Sequence, residues 1–117
     1  MIDNKEIFIA NKEKAIVDCL DKERYSGSII EITKALNSNL ISITKLKKYA
    51  VMMKNASLTR RLGYLLDILK KDSGGLIKHI GKHPPIYLSI RLPNKKIGIN
   101  KKWRLIINVK KEDLLKL

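Results

Sequence analysis

A leucine-rich stretch of 15 residues, SLTRRLGYLLDILKK at 57–71, constrains the fold of this chain more than any other segment. Its leucines recur at the three- and four-residue spacing of one helical face, at Leu58, Leu62, Leu65, Leu66 and Leu69. Ser57 can cap the start of this helix, and the sequence DSGG at 72–75 can end it. The pattern predicts a helix over 57–71 that buries its leucines and exposes Arg60 and Arg61 on the opposite flank.

The composition provides for one modest hydrophobic core. Hydrophobic residues make up 44% of the 117 residues and aromatic residues only 5%, so isoleucine and leucine must fill most of that core. Gly63 interrupts the leucine-rich helix at a cost of about 1 kcal/mol relative to alanine, which predicts close approach by a neighbouring helix. No apolar run approaches the roughly 20 residues of a membrane span. The single cysteine, Cys19, fits a reducing, cytoplasmic location.

Helical periodicity extends over most of the first 81 residues. The segments 12–22, 29–36 and 42–54 carry apolar residues at helical spacing, and the first two follow residues that can cap a helix. The segment 76–80 is a candidate for a short fifth helix, and 112–117 is either a weak terminal helix or a tail. We therefore expect a helical part over residues 11–81.

The pattern changes to that of strands after residue 83. The sequence HPP at 83–85 forbids further helix, and IYLSIRL at 86–92 and WRLIINV at 103–109 have strand propensity. We expect these two segments to pair antiparallel as a C-terminal hairpin over 86–109, with residues 6–10 as a candidate third strand. The predicted fold class is α+β, one domain over 1–117. In it, a bundle of four to five helices packs on a small, mainly antiparallel sheet of two to three strands.

Charge is the strongest bulk signal. The chain has 25 lysines and arginines against 11 aspartates and glutamates, a net charge of +14. A field of this size favours polyanions such as nucleic acid. The alternative is that the charge only maintains solubility.

The basic residues fall into three sets, in the third predicted helix, in the leucine-rich helix, and between the two strands. Of these sets, the predicted nucleic-acid-binding residues are Lys47, Lys48, Arg60, Arg61, Lys95, Lys96, Lys101, Lys102 and Arg104. The last set adjoins Trp103, which either stacks on a base or fills the core; we favour the core, because the chain has no other tryptophan.

The residues do not indicate an enzyme. His79 and His83 are four apart, but the glutamate of the helical zinc motif is absent between them, which favours ordinary surface histidines over metal ligands. Cys19 lies on an apolar helix face, where an unreactive buried thiol is the usual outcome. We therefore predict no catalytic residue, no metal site and no cofactor.

Several segments, taken in order, resemble a known family. IANKEKAIVDCL at 9–20 looks like its A-x-x-E-K-A-x-x-D helix, and RYSGS at 24–28 looks like its R-Y-x-G-G turn, with Ser28 at the second glycine. LKKYA at 46–50, RLGYLL at 61–66 and WRLIINV at 103–109 follow. This order resembles the C-terminal domain of the AbiEi antitoxin family, predicted transcriptional regulators of viral defence systems.

The resemblance implies a non-enzymatic antitoxin or regulator domain of an abortive-infection toxin–antitoxin system. Such a domain counteracts a nucleotidyltransferase-like toxin and is thought to assist DNA binding. The N-terminal winged helix of family members has no counterpart before residue 6, so repression of an operon by this chain alone is not implied. A general basic nucleic-acid-binding module is the alternative.

Overall fold

The computed structural model of the protein describes residues 12–21, 29–38, 40–89 and 96–115. Within these ranges the chain forms five α-helices, one 3-10 helix and three short strands. The helices are α1 (Lys12–Asp21), α2 (Ile29–Leu36), α3 (Ile43–Met52), α4 (Ala56–Ile68) and α5 (Lys111–Leu115), with the 3-10 helix η1 at Ile77–His79. The strands are β1 (Ile86–Tyr87), β2 (Gly98–Asn100) and β3 (Leu105–Ile107). The α+β prediction of helices with a small sheet is confirmed.

The sheet has the order β1-β3-β2, so its central strand is the last in sequence. The strands β2 and β3 pair antiparallel across a four-residue turn at 101–104, and β1 pairs parallel to β3. The predicted antiparallel hairpin of 86–92 with 103–109 is therefore wrong. Residues 98–100, predicted to be a connection, are close enough in sequence to take one edge of β3, which leaves the other edge to β1. The candidate strand at 6–10 lies outside the described residues.

Helix α4 lies at the centre of the core. Its leucines Leu58, Leu62, Leu65 and Leu66 are fully buried. The indole of Trp103, also fully buried, packs so closely on Gly63 that a Cβ there would overlap its six-membered ring. The close approach predicted at Gly63 is confirmed, but the neighbour is this indole from the β2–β3 turn and not a helix.

The flank of α4 that was predicted to be exposed is also buried. Only 1% of Arg60 and 8% of Arg61 is accessible to solvent. The helix begins after Asn55, whose side-chain oxygen accepts a hydrogen bond from Leu58 N at 3.2 Å, so Asn55 and not Ser57 is the cap. It ends at Ile68, three residues before the predicted end.

Two polar contacts connect the remaining helices to this core. The Oε2 atom of buried Glu13 on α1 accepts a hydrogen bond from Ser42 N at 2.8 Å, and the Ser42 side chain caps α3. Asn55 Nδ2 donates to Asp21 Oδ1 at 2.8 Å, which ties the end of α1 to the start of α4. Helix α5 packs against α2 and buries Leu114. None of the helices in the described ranges is both long and apolar enough to cross a membrane.

Candidate nucleic-acid interface

The excess of positive over negative charge lies in one part of the chain. Residues 1–39 contain six lysines and arginines and seven aspartates and glutamates, whereas residues 40–117 contain 19 and four. The first segment is therefore almost neutral, and the second carries a net charge of +15. Every helix and strand from α3 to α5 belongs to the basic segment, so that the electropositive field is strongest around these elements.

A shallow depression of about 360 Å³ lies between α3 and the segment 74–79. Its cationic and titratable lining groups are Lys47, Lys48, Lys78 and His79, and its apolar ones include Val51 and Met52. Met52 is 63% exposed, an unusual fraction for so apolar a side chain. Exposed lysines around an apolar floor suit a phosphate backbone with its adjoining sugars.

A second depression of about 640 Å³, the α4 pocket, lies at the start of α4. It is lined by residues 53–57, Arg60, His83, Pro84 and Ile86. Both depressions involve the C-terminal end of α3, because Met52 lines the first and the next residue, Met53, lines the second. We call the exposed cationic and imidazole groups of the two depressions the basic face: Lys48, Lys54, Lys78, His79 and His83.

Lys47 contributes to this surface mainly by shaping it. Its Nζ lies 2.8 Å from Asp72 Oδ2 and 3.0 Å from Gly74 O, and its side chain is only 19% exposed. The hydrogen bonds from Lys47 and from Gly74 N lower the pKa of Asp72. Lys47 therefore holds the 72–75 loop against α3, and the neighbouring Lys48 is left exposed.

Arg60 does not lie on the protein surface as predicted. Its Nε donates to Trp103 O at 2.9 Å, and its Nη2 donates to Pro84 O at 2.8 Å and to Arg104 O. These bonds join α4 to the entrance of β1 and to the β2–β3 turn. Burial, and then repulsion by Arg104, lower the pKa of Arg60. Arg60 is one of the residues that line the α4 pocket and is not part of an exposed helix flank.

Arg61 is likewise a structural residue. Its Nε and Nη2 donate to Tyr87 O at 3.1 and 2.9 Å, which fixes the end of β1 against α4. The prediction that Arg61 lies on an exposed flank is wrong, because helix α4 is enclosed on nearly all sides from Leu58 to Leu66.

The β2–β3 turn divides its basic residues between two roles. Lys101 is exposed, whereas Lys102 Nζ forms an ion pair of 2.9 Å with Asp67 Oδ2 and lies 5.3 Å from the centre of the Trp103 ring. Arg104 is half-buried, and its Nη1 lies 3.4 Å from His83 O at the edge of the α4 pocket. Lys96 is exposed before β2, and Lys95 lies outside the described residues.

Trp103 belongs to the core, as favoured from the sequence. Its indole is fully buried, and its Nε1 donates to Asp67 Oδ2 at 2.7 Å. The alternative of base stacking on this ring is therefore excluded in this structure, because no face of the indole reaches solvent. His79 and His83 are exposed, as predicted for surface histidines. Within the described ranges, no group of three His, Cys, Asp or Glu side chains is placed to hold a metal ion.

The structure brings together a different set of residues from the one predicted. Of the nine predicted positions, Lys48, Lys96, Lys101 and Arg104 keep at least partly accessible charges without an aspartate or glutamate of the described residues within 4 Å. Lys54, Lys78 and His83 were missed as nucleic-acid-binding residues, since Lys54 is far in sequence from the other two and the tertiary fold places all three at the two depressions. The abrupt rise in positive charge after residue 39 is the signal that could have indicated this side of the molecule. No family model matches the chain, and neither a curated protein nor a solved structure matches it.

Proposed function

We propose that this chain is a non-enzymatic antitoxin or transcriptional-regulator domain of the AbiEi type that contacts nucleic acid through its basic face. Its functional counterpart is a nucleotidyltransferase-like toxin of an abortive-infection system. The observation that carries the nucleic-acid part is the net charge of +15 on residues 40–117, together with the exposed Lys48, Lys54 and Lys78 at two depressions whose described lining contains no carboxylate. Proteins that neutralise phosphates with lysine and arginine gain affinity by releasing counterions.

The antitoxin part is supported by where the family-like segments lie. Gly63, from RLGYLL, contacts Trp103, from WRLIINV, and Glu13, from the first helix, positions the start of α3. The resemblance therefore rests on residues that make specific contacts, and such residues are constrained by a fold more than exposed lysines are. A shared fold is the property that a domain of this type needs in order to present the same surface.

Duplex DNA in a fluorescence-anisotropy titration tests the basic face. We expect the affinity to fall steeply with salt, and the double substitution Lys48→Gln with Lys78→Gln to reduce the slope of log affinity against log salt by about 1.8. The matched control is Lys14→Gln with Lys34→Gln, which removes two exposed lysines from the neutral segment. An equal effect of both pairs would show that only the overall charge matters, and no binding at low salt would refute the nucleic-acid part.

Co-expression tests the antitoxin part. Where a nucleotidyltransferase-like toxin is encoded next to its gene, we expect the chain to restore growth of cells that express that toxin. The double variant Lys48→Gln with Lys78→Gln shows whether rescue uses the basic face or another surface. Failure to rescue, with both proteins present at normal levels, would refute the antitoxin role.

A general nucleic-acid-binding module is the second candidate, and the shape of the basic face favours it. Both depressions are shallow, and their exposed cationic and imidazole groups are lysines and histidines, which suit contacts to phosphates that carry no sequence information. A competition experiment separates the two candidate functions. In it, an inverted-repeat duplex from upstream of the gene and a scrambled duplex compete for binding to the protein. Equal binding to both favours the general module, and preference for the repeat favours the regulator.

A further inference from the structure

The α4 pocket is lined by donors and cations. Lys54, Asn55, Ser57, Arg60 and His83 supply its polar side chains, and no aspartate or glutamate is among its lining residues. Asn55 Nδ2 is turned to Asp21, so the amide of Asn55 belongs to the framework of the pocket and the remaining four groups define its chemistry. A cavity of about 640 Å³ holds a phosphate and part of the group that carries it.

Arg60 is a buried cation at this pocket that forms no ion pair with a carboxylate of the described residues. It is 1% exposed, and no aspartate or glutamate of the described residues lies within 4 Å of it. Nε and Nη2 donate to backbone carbonyls, whereas Nη1 makes no hydrogen bond to any described residue. A buried guanidinium is costly to leave without an opposite charge, and a planar donor group of this kind matches phosphate oxygens.

The first turn of α4 adds backbone donors. Leu58 N donates to the Asn55 side chain, and Thr59 N donates to Asn55 O. Ala56 and Ser57 line the pocket, and their backbone amides have no acceptor among the described residues. The start of this 13-residue helix therefore brings its partial positive charge and two available amides to the pocket that buried Arg60 also lines.

Two cations beside the pocket adopt a backbone conformation that favours glycine. Lys54, which lines the pocket, has φ 51°, and Arg104, at its edge, has φ 53°. Residues other than glycine, asparagine and aspartate rarely adopt such angles, and they cluster at functional sites. A glycine at position 54 would end α3 with less strain but would remove the ammonium group from the pocket rim.

From this convergence we infer that the α4 pocket binds a phosphate group. Arg60 and the Ala56 and Ser57 amides hold its oxygens, and Lys54 and His83 face it from the rim. The phosphate belongs either to the end of a nucleotide chain or to a backbone phosphodiester. The inference does not depend on an antitoxin role, since inorganic phosphate carries the same chemistry.

Titration of the ¹⁵N-labelled protein with inorganic phosphate, against chloride at equal ionic strength, tests the pocket. We expect saturable shifts of the Ala56 and Ser57 amide signals. Lys54→Gly should weaken phosphate binding at least about threefold while raising the melting temperature. Lys70→Gly is the matched control, because Lys70 follows α4 with φ 58°, is exposed and lies outside the pocket.

The control should also raise the melting temperature but leave phosphate affinity unchanged. The inference is overturned if the Ala56 and Ser57 signals do not saturate, or if both glycine variants weaken binding equally. An oligonucleotide with a 5′-phosphate that shifts these signals more than its unphosphorylated form identifies a terminal phosphate, and equal shifts identify a backbone one. The duplex titration varies Lys48 and Lys78, which do not line the α4 pocket, so its failure can be distinguished from failure of the phosphate titration.

Discussion

The adjacent arginines of α4 show what a guanidinium does when it is enclosed by backbone. Arg61 donates twice to one carbonyl at the end of β1, and Arg60 donates to three carbonyls on two segments. A guanidinium carries five donors in a fixed plane, so one side chain can donate hydrogen bonds to several carbonyl groups at the ends of the short strands. Both residues therefore connect the helical part to the sheet.

Gly63 is the residue at which the smallest change should have the largest effect. In Gly63→Ala the new methyl group would overlap the ring of Trp103, which is fully buried and cannot turn away. We expect the free energy of unfolding to fall by about 1–3 kcal/mol, measured by urea denaturation. Gly98→Ala is the control, since a Cβ there meets nothing within 4 Å. Equal stability of Gly63→Ala and the wild type would contradict the observed packing.

Asp67 should make stability depend on pH in the acid range. Partial burial raises its pKa, but hydrogen bonds from Ser73, Trp103 and Lys102 outweigh this, and the net pKa is lowered. The ionised carboxylate thus stabilises the fold above its unfolded pKa of about 3.9, and this contribution is lost as the pH falls through the lower folded pKa.

We therefore expect Asp67→Asn to be less stable than the wild type at neutral pH and the gap to narrow below about pH 4, measured by urea midpoints across the pH range. Asp72→Asn serves as the comparison. Its carboxylate is 76% exposed, and exposed ion pairs contribute little. If the difference in stability between Asp67→Asn and the wild type stays constant down to the lowest pH, the ionised Asp67 carboxylate does not stabilise the fold.

At the scale of elements, a side chain extends the sheet beyond its strands. Buried Asn108 accepts a hydrogen bond from Ser89 N at 2.9 Å and donates from Nδ2 to Ser89 O at 2.7 Å. Its amide thereby reproduces the bonds of a further residue pair between the segments that carry β1 and β3. The two short strands, of two and three residues, are thereby held together over a greater length than their backbone hydrogen bonds alone provide.

We expect Asn108→Ala to lower the free energy of unfolding by about 1–3 kcal/mol, because both polar groups of buried Ser89 lose these bonds. Urea denaturation measures the loss. Asn37→Ala offers the control, since the Asn37 side chain makes no hydrogen bond to the described residues. A loss no greater than that of the control would mean that water replaces the amide.

The helices could be predicted from sequence and the sheet pairing could not. Helices depend on local spacing and caps, and the observed α1 to α3 begin and end within two residues of the predicted segments. The parallel pairing of β1 with β3 is a non-local choice between strands too short to carry a pattern. Burial of Arg60 was missed for a related reason. A charged side chain is expected to be exposed unless the fold supplies acceptors for it, and the carbonyl acceptors of Arg60 come from segments distant in sequence. Lys54 and His83, which are 29 residues apart in sequence, line the same pocket only because of the tertiary fold.

At the scale of the molecule, the uneven charge should make stability depend on salt. Residues 40–117 carry 19 cations and four anions, and the described acids at Asp67 and Asp72 each neutralise one lysine. Like charges that remain repel one another within the Debye length. We expect the melting temperature, followed by circular dichroism, to rise between about 10 mM and about 200 mM sodium chloride. A melting temperature that falls over this range would show that attractive pairs dominate.

The position of β3 also bears on how the protein is made. Its backbone occupies the middle of the sheet, and Trp103, just before it, fills the space beside Gly63. Until the ribosome has synthesised these residues, the segments of β1 and β2 lack the central strand with which both pair. The surface of α4 at Gly63 likewise lacks the indole that covers it in the folded protein. Helical segments can form during translation, but the sheet closes only after residue 107 has left the exit tunnel.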